Sequence, residues 1–296
     1  MQQTLEGFTR VIHPDSAQWE LLVVNNNSDD QTDQVIRSFE RRLPIRRVFE
    51  AAPGQSNARN RAVAEAAGDY ILWTDDDVTV CAEWLVSYVN AFRKRPDAAV
   101  FGGPIEPCFE STPPKWLTEI YSTVAGVYAA RELGTEPIPF VAPYVIPWGA
   151  NYATRTREQR SYPYDPALGY RPGLLIAWDE TEVILAMLRD GLQGEWVPAA
   201  RVRHHIPKAR QTTKYLRTHF YNRGRYFGRK GDAPYRRLVL GRPPWLVKRA
   251  MAAELKYRLH RVMSKPEVWV EHLITSSESW GILRDYRPTK PQVRPG

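Results

Sequence analysis

Three consecutive aspartates, Asp75–Asp77, follow directly on an apolar run, residues 70–74 (YILWT). Like charges this close repel, and each raises its neighbour's pKa. A divalent cation among them resolves the conflict, and carboxylate oxygens suit the hard ions Mg2+ and Mn2+. The alternative is a solvated turn or a helix N-cap, since a helical segment begins a few residues beyond Asp77. A second polar cluster, Asn25–Asp30, closes another apolar run at residues 19–25 (WELLVVN).

The elements that must position these clusters are legible in the hydrophobic pattern. Residues 19–25, 45–49 (IRRVF), 70–74 and 98–102 (AAVFG) predict buried strands. Residues 32–40, 57–67, 82–95 and 180–190 predict helices, the second closed by Gly68 and the last by Gly191. Short strands are expected at 195–198 and 201–204, and mainly helix from about residue 210. Between them lies a proline-rich, irregular stretch, Gly103–Pro147, of a length that is usually functional. Strands alternating with helices predict an α/β fold with a mostly parallel sheet. In such sheets ligands bind beyond the carboxyl ends of the strands, which is where both polar clusters fall.

Six segments then resemble, in order and spacing, the family 2 glycosyltransferases. VVNNNSDDQT (23–32) is similar to that family's strand and loop. PGQSNARNRAVAEAAGDYILWTDDD (53–77) is similar to its G-x-S-x-ARN stretch ending in D-x-D. WGANYATR (148–155), YDPALG (164–169), DETEV (179–183) and VPAARVRHH (197–205) resemble its later motifs. The resemblance covers about residues 5–225 and implies a Rossmann-like GT-A fold, with a mostly parallel sheet flanked by helices. It implies an inverting, metal-dependent transfer from a nucleoside diphosphate sugar to a glycan or lipid-linked acceptor, with Mg2+ or Mn2+ as cofactor. Such an enzyme would serve cell-surface polysaccharide or glycolipid synthesis.

The resemblance also implies roles. Asp75 matches the first acid of the D-x-D, near ribose and metal, and Asp77 the second acid, a metal ligand. His204 matches the histidine that closes the diphosphate or metal site, with His205 its rival. Arg59 and Asn60 match the pair that braces the nucleotide loop, and Gly149 and Asn151 fall in a substrate-binding motif. The acid that faces the nucleobase is replaced by Asn25 or Asn26. Asn27 stands where glycine is common, which Asn tolerates because it visits positive φ more readily than most residues. The base aligns with Glu180, preceded by Asp179. The family shows Glu then Asp, so either acid could do the work, and Asp179 could equally be a helix cap. A nucleotidyltransferase would want a Gly-rich phosphate loop with a Lys near the start, and none is visible.

Composition is consistent with this. The chain has 296 residues, 43% of them apolar and 25% charged, so a core can be buried and global disorder is excluded. Cys81 and Cys108 fit no zinc spacing and form no disulfide framework, so a reducing, cytoplasmic compartment is expected. Met1–Arg10 lacks the apolar core of a signal peptide. No run approaches the ~18–20 apolar residues that span a bilayer.

The expected organisation is a catalytic domain over 1–205 and a helical, basic extension over 206–296. Residues 201–261 hold eighteen Lys or Arg against two acids, within a net charge of +8. Such a block could meet nucleic acid, anionic lipid, a phosphorylated substrate or only water. Residues 243–263 carry Leu246, Val247, Ala250, Leu255, Leu259 and Val262 at helical spacing among basic residues. That pattern fits a helix lying on the inner face of a membrane or packed on a core. A non-catalytic binder of anionic surfaces would need only this tail. Nucleic acid is not an expected partner. In the resembled fold an apolar strand precedes a helix like residues 2–10 and sits between the strands at 19–25 and 70–74. The expectation is that this chain is truncated and lacks that strand.

Overall fold

A computed structural model describes residues 1–15, 17–171, 174–231, 238–239 and 241–287, with the side chains of 174–176 outside the description. The strands are β1 (Leu21–Asn25), β2 (Ile45–Phe49), β3 (Tyr70–Trp73), β4 (Val78–Val80), β5 (Ala98–Gly102), β6 (Ile105–Phe109), β7 (Tyr152–Arg155), β8 (Gly169–Arg171), β9 (Leu174–Ile176), β10 (Gln193–Trp196) and β11 (Val202–Ile206). The α-helices are α1 (Gln2–Phe8), α2 (Thr32–Phe39), α3 (Gln55–Glu65), α4 (Trp84–Lys94), α5 (Lys115–Glu119), α6 (Tyr121–Val124), α7 (Thr156–Gln159), α8 (Asp179–Arg189), α9 (Thr213–Lys230), α10 (Pro244–Met263) and α11 (Pro266–Asp285). Two compact units result: Met1–Cys108 with Tyr128–Ile206, and Phe109–Val127 with the chain from Pro207 onward.

In the first unit β1 pairs in parallel with β2, and a four-stranded sheet runs in the order β10-β5-β7-β3. β10 and β5 are parallel, whereas β7 runs antiparallel to both β3 and β5. The sheet is therefore mixed. β7 follows the long excursion over 103–147 and not a crossover helix, so nothing forces it to run parallel. A three-stranded sheet, β4-β11-β6, stands beside it. All five residues of β5 are buried, as expected of a strand covered on both faces. The core gathers Phe8, Ile36, Trp84, Tyr88 and Phe101 on one side, and Tyr152, Tyr164, Ile184 and Trp196 on the other. Tyr70 stacks on Phe92 at 3.8 Å between ring centroids. Asn27 does sit at positive φ, 56°.

β1 and β3 are neighbours without being partners. The two strands line one cavity of about 600 Å3, together with α1, α3 and α4. Among the described residues no strand lies between them, at the place of the strand this chain was expected to lack.

The second unit is built on α9, α10 and α11. The helices α9 and α11 touch backbone to backbone. A Cβ on Gly224 would lie 2.2 Å from the carbonyl oxygen of Glu278, and one on Gly281 2.0 Å from that of Tyr221. Only glycine permits this approach. Part of the basic block is neutralised inside the unit, since Arg225 and Arg229 both donate to Asp285 Oδ2, at 3.0 and 2.7 Å. Gly281→Ala is expected to force the helices apart and destabilise the protein by about 1–3 kcal/mol, the usual range for overpacking. A thermal melt checks this, and an unchanged midpoint would contradict the close approach.

Candidate active site

The site is assembled at the carboxyl ends of β1 and β3. After β1 the chain turns sharply, and Asn25 and Asn26 hold the turn. Asn25 is 3% exposed. Its amide donates to Asp33 Oδ1 at 2.6 Å, and its oxygen accepts from the Ser28 N–H at 2.8 Å. Asn26 donates both amide hydrogens, to the Glu50 and Ala52 carbonyls, and accepts from the Gly54 N–H at 2.6 Å. These asparagines brace the loop, and Asn26 has no free amide hydrogen for a nucleobase. Gly54, at φ +134°, then starts α3.

α3 buries Ser56, Arg59, Ala62 and Val63, a face of one-helix-turn spacing. Arg59 is the centre of the site. Its guanidinium donates to Asp179 Oδ2 at 2.7 Å and to Glu180 Oε2 at 3.3 Å, lies 3.9 Å from Asp75 Oδ1, and covers the Tyr164 ring. Two acids at the start of α8 and one acid after β3 thus share one buried cation. Asn60, one residue on, points away. It forms a two-point clamp with the backbone N–H and carbonyl of Tyr164, each at 2.8 Å.

The two acids of α8 differ. Asp179 is 1% exposed and accepts from Arg59 and from the Ser56 hydroxyl at 3.1 Å. Burial alone would raise its pKa, but Arg59 and these hydrogen bonds outweigh it and hold the carboxyl below its usual value. Glu180 is pushed up to about 7 by burial and by the charge of Asp179, against the pull of Arg59. Trp178, just before them, takes the left-handed backbone at φ +87°, an uncommon conformation for a bulky residue and one often found at functional sites. Gly149 faces the pair so closely that a Cβ there would lie 3.0 Å from the Glu180 carboxyl.

β4 and β11 bring the second half together. Their antiparallel register sets His204 opposite Val78, one residue past the acid triplet. His204 Nε2 then lies 3.4 Å from Asp77 Oδ2. Its Nδ1 meets the Tyr128 carbonyl at 3.0 Å, and a carbonyl only accepts, so Nδ1 carries the hydrogen and Nε2 faces the acid. Burial lowers the pKa of His204, but Asp77 and the Tyr128 carbonyl raise it by more. His205 projects to the other face and meets Thr79 Oγ1 at 2.7 Å. Burial raises the pKa of Asp75, with Asp77 adding to the effect and Arg59 opposing it. The Asp76 carbonyl accepts from Thr4 Oγ1 at 2.7 Å and from the Met1 amino group, so Asp76 serves the loop backbone.

Among the described residues, no three His, Cys, Asp or Glu side chains form a metal cage on their own. The donors that do converge, Asp77 and His204 with Asp75 nearby, are a carboxylate–imidazole set. It suits a hard divalent ion that keeps waters and takes phosphate oxygens as further ligands. Asn151 is placed outside the site, contrary to its expected role in substrate binding. It is fully buried, accepts from Trp84 Nε1 and Tyr88 Oη, and donates to the Pro104 and Ala200 carbonyls. With all its hydrogen bonds made, it pegs the core beneath the acid loop. Two residues without an expected role enter the site instead: Ser56, which orients Asp179, and Gly169, whose φ is +77° and whose Cβ would meet Ser56 Oγ at 2.7 Å. The small residues at 56 and 169 were visible in the sequence, but nothing there showed that they meet.

The fold defined by these elements is that of the GT-A glycosyltransferases. A mannosyltransferase from Pyrobaculum calidifontis, solved with GDP-Man and Mn2+, superposes with a TM-score of 0.58 over 96% of this chain and 82% of its own, at 16% identity. S. aureus TarS in complex with UDP superposes with a TM-score of 0.54 over 95% and 86%, at 11% identity. Residues 2–147 match the Glycosyl transferase family 2 model, and this part of the chain is a family 2 glycosyltransferase domain. A succinoglycan biosynthesis protein, ExoM of Rhizobium meliloti, is 26% identical over 46% of this chain and 44% of its own length. A poly-beta-1,6-N-acetyl-D-glucosamine synthase of Staphylococcus epidermidis is 26% identical over 35% of this chain and 25% of its own. The chain thus spans less than half the length of these curated relatives.

Proposed function

We propose that this chain transfers a sugar from a nucleoside diphosphate sugar to a glycan or lipid-linked acceptor, with inversion, in polysaccharide or glycolipid synthesis. The observation that carries the reading is the contrast between Asp179 and Glu180 on one arginine. Asp179 is locked as an anion and positions Arg59. Glu180 is held more loosely, and burial keeps its proton affinity high, as a base that must take a proton from a hydroxyl requires. Gly149 has no side chain to crowd the Glu180 carboxyl, which a Cβ there would meet at 3.0 Å. Asp75, Asp77 and His204 would hold Mg2+ or Mn2+, which when bound neutralises charge developing on the leaving diphosphate. The nucleoside diphosphate and Mn2+ complexes of the structural neighbours, and the polysaccharide products of the relatives, support the same reading. A screen of sugar nucleotides, read by release of nucleoside diphosphate, tests it. No release from any donor in the presence of Mn2+ and a mixed glycan and lipid-linked acceptor pool would refute it.

The acceptor side suggests a membrane partner. No helix among the described residues is long and apolar enough to cross a membrane. The stripe read from the sequence on α10 divides in two. Leu246 and Ala250 are buried and Val247 packs with them, whereas Leu255, Leu259 and Val262 are exposed, with Met251 on the same face. Lys248, Arg249, Lys256 and Arg258 are exposed around them. An apolar ridge rimmed by cations fits the inner, anionic face of a membrane, where each Lys or Arg adds about 1 kcal/mol. Cosedimentation with phosphatidylserine vesicles should therefore weaken as salt rises and drop further in Leu255→Glu/Val262→Glu. Salt-independent binding, or none at low salt, would overturn the assignment.

A further inference from the structure

Arg59 is held by three acids at unequal range. Its contacts with Asp179, Glu180 and Asp75 lengthen in that order, 2.7, 3.3 and 3.9 Å. Coulomb attraction has little preference for direction, so alone it draws the cation onto the nearest acid, Asp179, and away from Asp75. An arginine side chain also has many rotamers to lose before it stands in one place. A support of another kind is needed to keep the guanidinium within reach of all three acids. The Tyr164 ring is placed to give it. The guanidinium carbon lies 5.6 Å from the ring centroid, within the range of cation–π attraction.

Tyr164 is itself fixed from several sides, and it is 1% exposed. The Asn60 side chain takes both its backbone N–H and its carbonyl. Asn60 follows Arg59 on α3, so the helix that carries the cation also grips the residue that supports it. The chain then turns at Asp165, which accepts from the Ala167 and Leu168 N–H groups. The Leu168 carbonyl accepts from Ser56 Oγ at 2.9 Å, one turn earlier on α3. At the far end of the ring, the hydroxyl lies 2.7 Å from that of Tyr152 on β7. Burial raises the pKa of both phenols above the ordinary value, so both keep their hydrogens. Tyr164 donates to Gln159 Oε1 at 3.4 Å, and Tyr152 therefore donates to Tyr164. Trp73 meets the Tyr164 ring edge-on, at 5.6 Å between centroids. Backbone, hydroxyl and ring are thus all held, and the ring stands as a rigid strut between β7 and Arg59.

We propose that Tyr164 is a positioning residue, whose ring holds the Arg59 guanidinium between Asp75 on one side and Asp179 and Glu180 on the other. It is buried and acts only through Arg59. The ring carries this role and the hydroxyl does not, because the hydroxyl is engaged with Tyr152 and Gln159 and with no acid of the site. The effect on rate rests on the glycosyl-transfer reading, whereas the effect on Arg59 does not.

The test compares Tyr164→Phe with Tyr164→Leu in the full chain. Both lose the hydroxyl and leave the buried Tyr152 hydroxyl without this partner, so both should melt below the original protein. Only phenylalanine keeps a ring against the guanidinium. Two readouts separate them: kcat with Mn2+ and the donor that the sugar-nucleotide screen yields, and hydrogen exchange of the Arg59 side-chain N–H groups by nitrogen NMR. The Arg59 signals are assigned by their loss in Arg59→Lys. In Tyr164→Leu, kcat is expected to fall about 10–10²-fold, the scale of a misplaced group at a reacting centre. Its Arg59 N–H groups should exchange about tenfold faster. In Tyr164→Phe both readouts should stay near their original values despite the lower melting temperature. If Tyr164→Leu fails to fold, Tyr164→Met, unbranched and adaptable, takes its place. Equal losses of kcat in the phenylalanine and leucine variants would assign the effect to the hydroxyl or to stability and overturn the proposal. Arg59 exchange unchanged in Tyr164→Leu would overturn it as well. If the original protein turns over no donor, the glycosyl-transfer reading fails, and Arg59 exchange alone decides whether the ring holds the guanidinium.

Discussion

Glu180→Gln is expected to lower kcat about 10²–10⁴-fold, the span typical of a lost general base, while donor KM stays near its original value. The substitution keeps the shape and a hydrogen-bond acceptor for Arg59, 3.3 Å away, but cannot take a proton. The sign of the pH dependence follows from the same carboxyl. Burial holds Glu180 at about 7, so it is mostly protonated below that pH and ionised above it. A base works only when ionised. The rate should therefore fall as pH drops through 7 and level off above it, and Glu180→Gln should abolish this limb. Asp179 and Glu180 titrate as a pair, so the limb belongs to both together. Asp179→Asn should act differently, by releasing Arg59 and Ser56, and should cost stability as well as rate. If Asp179→Asn removed the pH limb and Glu180→Gln left it, the two roles would be exchanged.

Asp77→Asn is expected to remove turnover by about 10²-fold or more, the scale of a lost electrostatic contribution to the transition state. The side chain is 32% exposed, so the fold should survive the change with a near-normal melting temperature. Excess EDTA should silence the original protein, with Mn2+ or Mg2+ restoring it. Calorimetric titration with Mn2+ gives a readout apart from activity, and Asp77→Asn should weaken that binding. Full turnover in EDTA, or Mn2+ affinity unchanged by the substitution, would remove Asp77 from the metal site.

Where side chains repeat with a period, the sequence was a sound guide. The run IRRVF became β2 and AAVFG became β5 without change of boundary. The helix expected at 57–67 begins two residues earlier, at Gln55, because Gly54 takes a backbone conformation from which the helix can start. What periodicity lacks is the identity of the neighbour. Leu246 and Leu255 read alike on one amphipathic pattern, yet Leu246 packs with Ile282 and Leu283 of α11 whereas Leu255 is exposed. Asn151 was expected to bind substrate because it falls in WGANYATR, a segment that resembles a family motif. Its four hydrogen bonds come from residues 84, 88, 104 and 200, a convergence that only the fold creates. Arg59 and Glu180 are 121 positions apart, and matching motifs brought them to one site before coordinates did. Asp179 and Glu180 differ in their hold on Arg59, at 2.7 and 3.3 Å, which the order of two adjacent acids does not encode.

Arg59 reaches Asp75 on one side and Asp179 and Glu180 on the other, and so makes the site one thermodynamic system. Any positive charge that arrives beside Asp75 competes with the guanidinium there and leaves more of its field for Glu180. The proton on Glu180 and the charge at the acid loop are therefore linked, and linkage is reciprocal. A cation at the acid loop favours the ionised form of Glu180, and ionising Glu180 favours the cation in return. The same wiring means that substitutions at the two ends will not combine additively, because each alters the field the other was measured in.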